Sequence, residues 1–279
     1  DHVLAIPTET VYGLAGNSLS ETAVRKIFSV KGRPLIDPLI SHFFNASAAF
    51  DHVLANPSAQ ILAETFWPGP LTVILPKKST IPDLVTAGLP SAAIRVPAHP
   101  ALRDLLQRLD FPLAAPSANP FGYVSPTRAE HVSDTLGNKI TAILDGGPCH
   151  HGLESTIVDL RDEKAPRILR PGPISPEALS DALQTPVRFA STQNRADNAA
   201  QTAPGLLTKH YSPKAKIEIR RSGQLLQEDI SSFPKQHTAI IFNSKPNTMN
   251  NIPENIFWLS ETPDLEVIAR NFFHLLQKC

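Results

Sequence analysis

The fold is decided by "HVLAIPTETVYGLAGNSLSETAVRKIFSVKGRP", residues 2–34. Its first apolar run, HVLAI, predicts a β-strand, and apolar residues at helical spacing further on predict an amphipathic helix. Ser18 followed three residues later by Glu21 resembles a capping box, and Gly32 suits the position just after a helix. We therefore expect a helix over about residues 19–31. A strand followed by such a helix is the repeating unit of α/β proteins.

The same alternation continues to about Leu183 and predicts one mixed α/β domain over residues 1–183. Further strands are predicted at LTVIL (71–75), AAIRV (92–96), ITAIL (140–144), STIVDL (155–160) and RIL (167–169). Proline at the first helical position marks the predicted helices Pro57–Phe66, Pro100–Leu109, Pro126–Leu136 and Pro176–Leu183.

Beyond this domain the pattern changes. Residues 184–213 are polar with little periodicity, which predicts a linker. Residues 214–279 then predict a small α/β domain, with strands at AKIEI, HTAIIF and NIFWL and a helix opened by Thr262 and Pro263. About 66 residues are few for an independent core, so we expect this tail to lean on the first domain or to be truncated.

Composition narrows the classes of partner. Twenty-six basic residues balance 26 acidic ones, so no general attraction to nucleic acid or to a membrane is expected. No apolar run approaches the ~20 residues that a membrane span needs. The two cysteines, Cys149 and Cys279, lack metal-ligand spacing and indicate a reducing compartment, so we expect a soluble, cytoplasmic protein. The chain starts inside an apolar run, which we interpret as a strand entered midway.

Lys31 and Arg33 are the first candidate site residues. Cations are favoured at a helix C-terminus by the macrodipole, so a solvated pair is one interpretation. The alternative is a phosphate site, because Gly32 and Pro34 would fix the backbone beneath two cationic side chains. The residues alone leave both open.

Other candidates lie beside predicted strands. APSANPFGYVSPT (115–127) contains Ser117, Asn119 and Thr127, which suit either an anion site near a helix start or ordinary turns. PTETVYGLAGN (7–17) and GLESTIVD (152–159) place Thr, Ser and Glu beside strands, where they commonly satisfy local backbone groups. A charge in an apolar segment is costly unless paired, which singles out His42, Arg95 and Arg170. A satisfied core histidine and structural salt bridges are the competing explanations.

Several known signatures are missing from the sequence. It has no phosphate loop with Gly-Lys-Ser/Thr, no Gly-x-Gly-x-x-Gly, no His-Glu-x-x-His and no Gly-x-Ser-x-Gly. CHH, at 149–151, lacks further ligands, so no protein metal site is predicted.

In combination and in order, the motifs are specific. PTETVYGL, KGRP, PLISH, FWPGPLT, IRVPAHP, APSANPFGYVSPT, ESTIVD and ILRPGPIS together resemble the YrdC-like threonylcarbamoyl-AMP synthase family over about residues 3–176. APGLLTKHYSP (203–213) and the tail resemble the family's long, two-domain form. The resemblance implies a YrdC-like twisted mixed sheet flanked by helices, followed by a small Rossmann-like domain.

The resemblance also implies an activity. It is the formation of threonylcarbamoyl-AMP and pyrophosphate from L-threonine, bicarbonate and ATP, with Mg²⁺ accompanying ATP, for the threonylcarbamoyladenosine modification of tRNA. Implied partners are a downstream tRNA threonylcarbamoyl transferase complex and tRNA itself, with no membrane. The implied catalytic set is Lys31, Arg33, Ser117 and Asn119. The implied ATP-binding residues are Arg33, Asp37, Ser91, Asn119, Thr127, Arg170, His210 and Tyr211, and those for threonine are Thr10, His42, Arg95, Ser117 and Ser155.

Two alternatives and one departure stay open. A double-stranded RNA-binding module should carry a basic excess, which this chain lacks. The carbamoyl-adenylate-forming domain of hydrogenase maturation factors shares the fold, but those proteins carry Cys-rich zinc motifs. Asp37 stands where the resembling family usually has Asn, which places an extra negative charge near the expected ATP site.

Overall fold

A computed structural model of the chain describes residues 2–190, 199–206, 212–213, 215–219, 238–246 and 253–279. The first elements are strands β1 (Leu4–Ile6) and β2 (Gly13–Asn17), which pair antiparallel, and helix α1 (Glu21–Lys31). The sequence predicted both β1 and α1.

The capping of α1 differs from the prediction at one end. Ser20 is the N-cap, and its hydroxyl accepts a hydrogen bond from the Ala23 amide at 3.3 Å. Ser18 instead forms a buried hydrogen bond with the Ser41 hydroxyl at 2.7 Å. At the other end Gly32 has φ 63° and ends the helix in the left-handed conformation, as predicted.

The first domain continues with twelve further helices and strands. They are β3 (Ile40–His42), α2 (Ala46–Phe50), α3 (Pro57–Phe66), β4 (Leu71–Pro76), β5 (Ser91–Arg95), α4 (Pro100–Gln107), β6 (Leu113–Ala114), α5 (Ala129–Leu136), β7 (Thr156–Asp159), β8 (Arg167–Arg170), α6 (Pro176–Leu183) and β9 (Arg188–Phe189). A 3₁₀ turn, Gly137–Lys139, follows α5 directly.

All nine strands form one mixed sheet in the order β1-β2-β6-β3-β5-β4-β7-β8-β9. Neighbours β3 and β5 are parallel, as are β4 and β7 and also β8 and β9, and the other pairs are antiparallel. The main core is built from α1, α3, α6 and the sheet, with Ile27, Leu62 and Leu179 fully buried. The predicted fold class, a mixed α/β domain, is confirmed.

Some boundaries were predicted wrongly. ITAIL, at 140–144, is not a strand: it forms a single parallel bridge between Ile143 and Ala5. The predicted helix from Pro126 begins only at Ala129, because residues 126–128 are held in a loop. Helix α4 ends at Gln107. β9 lies inside the predicted linker, yet it completes the sheet beside β8.

The C-terminal part contains two parallel strands, β10 (Ile240–Ser244) and β11 (Ile256–Ser260), and helix α7 (Leu265–Lys278). Asp264 caps α7, so the helix starts slightly later than predicted. Residues 215–219 show no strand where AKIEI predicted one. None of the helices in the described part of the chain is long and apolar enough to cross a membrane.

Candidate active site

Strand register brings polar side chains together at the centre of the sheet. His42 on β3 and Thr72 on β4 are both the register partners of Arg95 on β5, so the three side chains share one face. All three are at most 3% exposed. Thr72 also hydrogen-bonds the Ser155 hydroxyl at 2.8 Å, which extends the row to the start of β7. A row of buried polar groups in an otherwise apolar sheet indicates a site.

Arg95 is held by the first loop of the chain. Its guanidinium donates to the Glu9 carboxylate at 2.6 Å, to the Thr10 hydroxyl at 3.0 Å and to the Gly69 carbonyl at 3.2 Å. Burial raises the pKa of Glu9, but the charge and hydrogen bond of Arg95, together with hydrogen bonds from the Glu9 and Ala98 amides, outweigh burial and the pKa is lowered. The guanidinium has five N–H groups, so two have no partner in the described part of the chain and remain for a ligand.

His42 is a neutral imidazole beside this arginine. Its Nδ1 lies 3.2 Å from the Ile40 carbonyl. Burial, together with the nearby Arg95 charge, lowers the pKa of His42 to about 3. A neutral ring adds no charge to a pocket that already contains the guanidinium.

Lys31 joins the end of α1 to the loop that carries Ser117 and Asn119. Its ammonium donates to the backbone carbonyls of both residues, each at 2.5 Å, and the side chain is buried. Burial and the Arg33 charge lower the pKa of Lys31 to about 7. The two motifs that contain these residues are therefore one unit in space.

Arg33 is buried as well, and it pairs with Asp37. The two side chains are 2.9 Å apart and 3% and 0% exposed. Arg33 also donates to the carbonyls of Asp37 and Pro38. Burial raises the pKa of Asp37, while the charges of Arg33 and Lys31 and the amide of Gly205 oppose that shift. Asp37 thus places its carboxylate against Arg33, the side chain that we expected to bind phosphate.

Arg170, at the end of β8, contacts Ser155 and Glu154. It donates to the carbonyl and hydroxyl of Ser155 at 3.1 and 2.9 Å, and it pairs with Glu154 at 3.5 Å. Glu154 also accepts from the Ser125 hydroxyl at 2.8 Å, which ties this pair to the loop before α5.

These groups line one pocket, which we call the central pocket. Among the predicted site residues, its walls include Thr10, Arg33, His42, Arg95, Ser117, Ser155 and Arg170. Lys31 and Asp37 lie directly behind the wall through their contacts with Ser117, Asn119 and Arg33. Ser91 is at the far end of β5 from Arg95 and does not line the pocket. His210 and Tyr211 fall outside the described residues.

Several buried polar atoms have no hydrogen-bond partner among the described residues, and none of them belongs to a residue that lines the central pocket. They include Asn119 Oδ1, Thr127 Oγ1, Ser91 Oγ and Glu9 Oε2. Buried polar groups in folded proteins are normally satisfied, so such atoms are candidates for ligand contacts. Three of them belong to residues predicted to bind ATP.

The structure adds residues that the sequence did not single out. Glu9 and Glu154 pair with the arginines, Thr72 belongs to the central row, and Pro204 lines the pocket from the predicted linker. Glu9 and Glu154 occur in segments noted for their Thr, Ser and Glu residues, but nothing in one sequence says which arginine a carboxylate meets. In the described ranges no cluster of three or more His, Cys, Asp or Glu could hold a metal ion.

Comparison with known proteins places the chain in a family. Residues 1–172 match the Sua5/YciO/YrdC family model, whose description is "Telomere recombination". Residues 174–279 match the model described as "Threonylcarbamoyl-AMP synthase, C-terminal domain". The chain belongs to the Sua5/YciO/YrdC family. Because the second model is matched too, it groups with the threonylcarbamoyl-AMP synthases that carry a Sua5 C-terminal domain.

Individual relatives agree with that grouping. A threonylcarbamoyl-AMP synthase of Pyrococcus abyssi is 38% identical, over 99% of this chain and 81% of its own length. One from Bacillus subtilis is 42% identical, over 82% of this chain and 67% of its own. The crystal structure of P. abyssi Sua5 complexed with L-threonine superimposes with a TM-score of 0.87 at 36% identity, covering 99% of this chain and 81% of that one. The resemblance inferred from the motifs is confirmed.

Proposed function

We propose that the protein is a nucleotidyltransferase that forms threonylcarbamoyl-AMP and pyrophosphate from L-threonine, bicarbonate and ATP. The observation that carries this proposal is the convergence of Arg33, Arg95 and Arg170 on one pocket, with Lys31 buried directly behind its wall. The three arginines are paired with Asp37, Glu9 and Glu154, which keeps them buried until anionic substrates arrive.

The threonine subsite is proposed at the Arg95 end. The two N–H groups of Arg95 without a protein partner suit a carboxylate, and Thr10 is already hydrogen-bonded to the guanidinium. His42, Ser117 and Ser155 line the same space. A relative of similar fold has been crystallised with L-threonine, which supports an amino-acid site in this fold.

The ATP subsite is proposed at the Arg33 end. Arg33, Arg170 and Lys31 supply positive charge for phosphates. We propose that the nucleotide donates hydrogen bonds to Oδ1 of Asn119 and Oγ1 of Thr127, which are buried and have no hydrogen-bond partner in the described part of the chain. Ser91 and Asp37 lie at this end of β3 and β5, where they would act from behind the phosphates. We propose that His210 and Tyr211, beyond Pro204, close over the nucleotide.

The chemistry needs two bond-forming steps. The neutral amine of threonine attacks bicarbonate, and loss of water leaves a carbamate. A carbamate oxygen then attacks the α-phosphorus of ATP as the bond to pyrophosphate breaks. Both reacting partners are anions, so converging cations and exclusion of water are what the pocket must supply. No covalent nucleophile is required.

Mg²⁺ is proposed to enter with ATP as part of the nucleotide substrate. Across the described ranges no carboxylate cluster offers a resident metal site, and Asp37, Glu9 and Glu154 are engaged by arginines. Mg²⁺ is commonly bound mainly through substrate phosphates and water.

The product is a mixed anhydride that hydrolyses readily, so its consumer should act nearby. We propose that a tRNA threonylcarbamoyl transferase complex receives it, and that tRNA is met through that complex.

The test is pyrophosphate release by the purified chain with ATP and Mg²⁺, assayed with threonine and bicarbonate together and with each omitted. Release that requires both, with an adenylate of threonylcarbamate in the chromatogram, is the expected result. Release independent of threonine, or none at all, would contradict the proposal.

A further inference from the structure

Helix α7 packs against the loops that build the central pocket. Phe273 of α7 is buried in a small cluster with Val11 and Val124, and Leu276 and Leu153 pack against it. Val11 is next to Thr10, and Leu153 is next to Glu154. The C-terminal helix therefore contacts three separate loops of the site.

Two further contacts are close and specific. Gln277 donates from Nε2 to the Val124 carbonyl at 2.9 Å. A Cβ at Gly152 would lie 2.2 Å from the Arg270 carbonyl oxygen, so only glycine allows this approach of α7. The helix is fitted to the backbone of the loops and not only to their side chains.

A pair of histidines links α7 to Thr127. The Thr127 amide donates to Nδ1 of His131 at 3.2 Å, and Nε2 of His131 lies 3.1 Å from Nδ1 of His274 on α7. An amide can only donate, so Nδ1 of His131 accepts. In the neutral ring Nε2 then carries the proton and donates to His274. The chain of bonds has one direction, from Thr127 through His131 to α7.

Both rings are held neutral, which this directional arrangement requires. Burial lowers the pKa of His131 to about 4, and the adjacent His274 adds to the effect. Burial also lowers the pKa of His274, assisted by the charges of Arg128 and Lys278. A proton on Nδ1 of either ring would oppose another N–H donor and break the chain.

We propose that His274 is a positioning residue for the nucleotide end of the site: through His131 it fixes the Thr127 backbone and so links the C-terminal domain to ATP binding. This inference rests on the proposed function, which places Thr127 at the nucleotide.

The threonine end has no such link. The hydrogen bonds and ion pair of Arg95 and the hydroxyl contacts of Ser155 come from the first domain, with no contribution from either histidine. Loss of His274 should therefore affect the two substrates unequally. Thr127 Oγ1, which is buried and without a partner in the described part of the chain, would no longer be held in place.

The test compares three full-length variants with the wild type. His274→Leu removes the acceptor. His274→Asn places an amide oxygen near the former Nδ1, so it can accept from His131. Arg270→Leu, one turn earlier on α7, makes the same change from polar to apolar at an exposed side chain. KM for ATP, KM for threonine and kcat are measured from pyrophosphate release, and α7 docking is followed by hydrogen exchange.

We expect His274→Leu to raise KM for ATP about three- to tenfold, the effect of one lost hydrogen bond, with KM for threonine unchanged. His274→Asn should restore KM for ATP, and Arg270→Leu should match the wild type. An unchanged KM for ATP in His274→Leu, or equal changes for both substrates, overturns the inference. If the Leu variant does not fold, His274→Ala replaces it.

A second measurement needs no variant. Nitrogen chemical shifts of His131 in the wild type should identify the tautomer with its proton on Nε2, and a proton on Nδ1 overturns the inference. A wild type that makes no threonylcarbamoyl-AMP would instead contradict the proposed function, so the two failures are distinguishable.

Discussion

At the scale of single residues, the site consists of charges that solvent barely reaches. Arg33 and Asp37 form an ion pair in which neither side chain is more than 3% exposed. Removing one member of a buried pair strands the other, which is commonly more costly than the pair itself is worth. Arg33 therefore contributes to stability as well as to the proposed phosphate binding, and a test must separate the two.

The variants Arg33→Ala and Arg33→Ala/Asp37→Asn make that separation. The single variant should lose about 3 to 5 kcal/mol of unfolding free energy, because Asp37 is left buried without its partner. The double variant should recover most of that loss, yet neither should form product. Denaturant unfolding and pyrophosphate release measure the two effects. Activity in the double variant would remove Arg33 from the phosphate site.

Arg95→Lys keeps the charge but loses the planar fork. A lysine cannot contact Glu9 and Thr10 and still offer two parallel N–H groups to a carboxylate. KM for threonine should rise about tenfold or more, the effect of one lost charge-assisted hydrogen bond, with KM for ATP little changed. Steady-state kinetics in each substrate provide the measurement, and parallel increases in both constants would indicate a general structural role.

The sequence predicted some residues of the site and missed others. Lys31, Arg33, Arg95 and Arg170 are conspicuous in sequence, because charged groups at the ends of apolar segments demand an explanation. Their partners are not: Glu9 lies far along the chain from Arg95, and their contact depends on how the first loop folds over β5. A single sequence does not contain that information.

At the scale of secondary structure, elements whose signals are local were predicted well. Both ends of α3 and α6 were predicted correctly. Proline at the first helical position marks each start, and the apolar periodicity gives each length. ITAIL was predicted as a full strand, but its backbone hydrogen bonds to Val3 and Ala5 of the β1 segment give only one bridge, at Ile143, which is too short a pairing for a strand. The short strands β6 and β9, each two residues long, carry too few residues for any periodicity.

The contact of Gly152 with α7 gives a prediction at this scale. Gly152 has φ +67°, and a Cβ would meet the Arg270 backbone at 2.2 Å. Gly152→Ala should therefore shift α7 from the loops, and amide exchange along α7 should accelerate. Gly147→Ala is the matched control, because Gly147 has φ +79° but nothing within 4 Å of its Cβ. Equal exchange in both variants would mean that strain, and not the contact, is responsible.

At the scale of the whole molecule, residues 199–206 of the predicted linker pack against the first domain. Ala203 is fully buried against Ile40, Ile74 and Ile157, and Pro204 lines the central pocket. Gly205 lies near Asp37. Residues 199–206 thus cover one face of the sheet at the pocket, which the polar composition of the linker did not predict.

Truncation after Ala190 tests what this segment contributes. The remaining domain keeps β9, so it should fold, but exposure of Ile40 and Ile74 should lower its melting temperature by several degrees, about 2 to 4 °C for each kcal/mol lost. ATP should still bind, although more weakly because His274 is removed with α7, and less threonylcarbamoyl-AMP should be retained because water enters the pocket. Calorimetry and product quantitation measure the two effects.

The full-length variant His210→Ala/Tyr211→Ala is the control for that truncation. It keeps the C-terminal domain and residues 199–206 in place, so a similar loss of product would assign the effect to these two side chains. A truncated domain as productive as the full chain would leave the linker with no role beyond connecting the domains.

The two ends of the sheet also bear on self-association. The outer side of β1 is hydrogen-bonded by residues 141–144, through Ala5 and Val3. The other side ends at β9, whose two residues include a charged arginine, and short charged edges resist the addition of further strands. In the described part of the chain, neither end of the sheet offers a long strand edge to a second chain. A fragment cut before Arg188 would uncover the apolar Ile168 and Leu169 along β8, and we expect it to aggregate where one that keeps β9 stays dispersed.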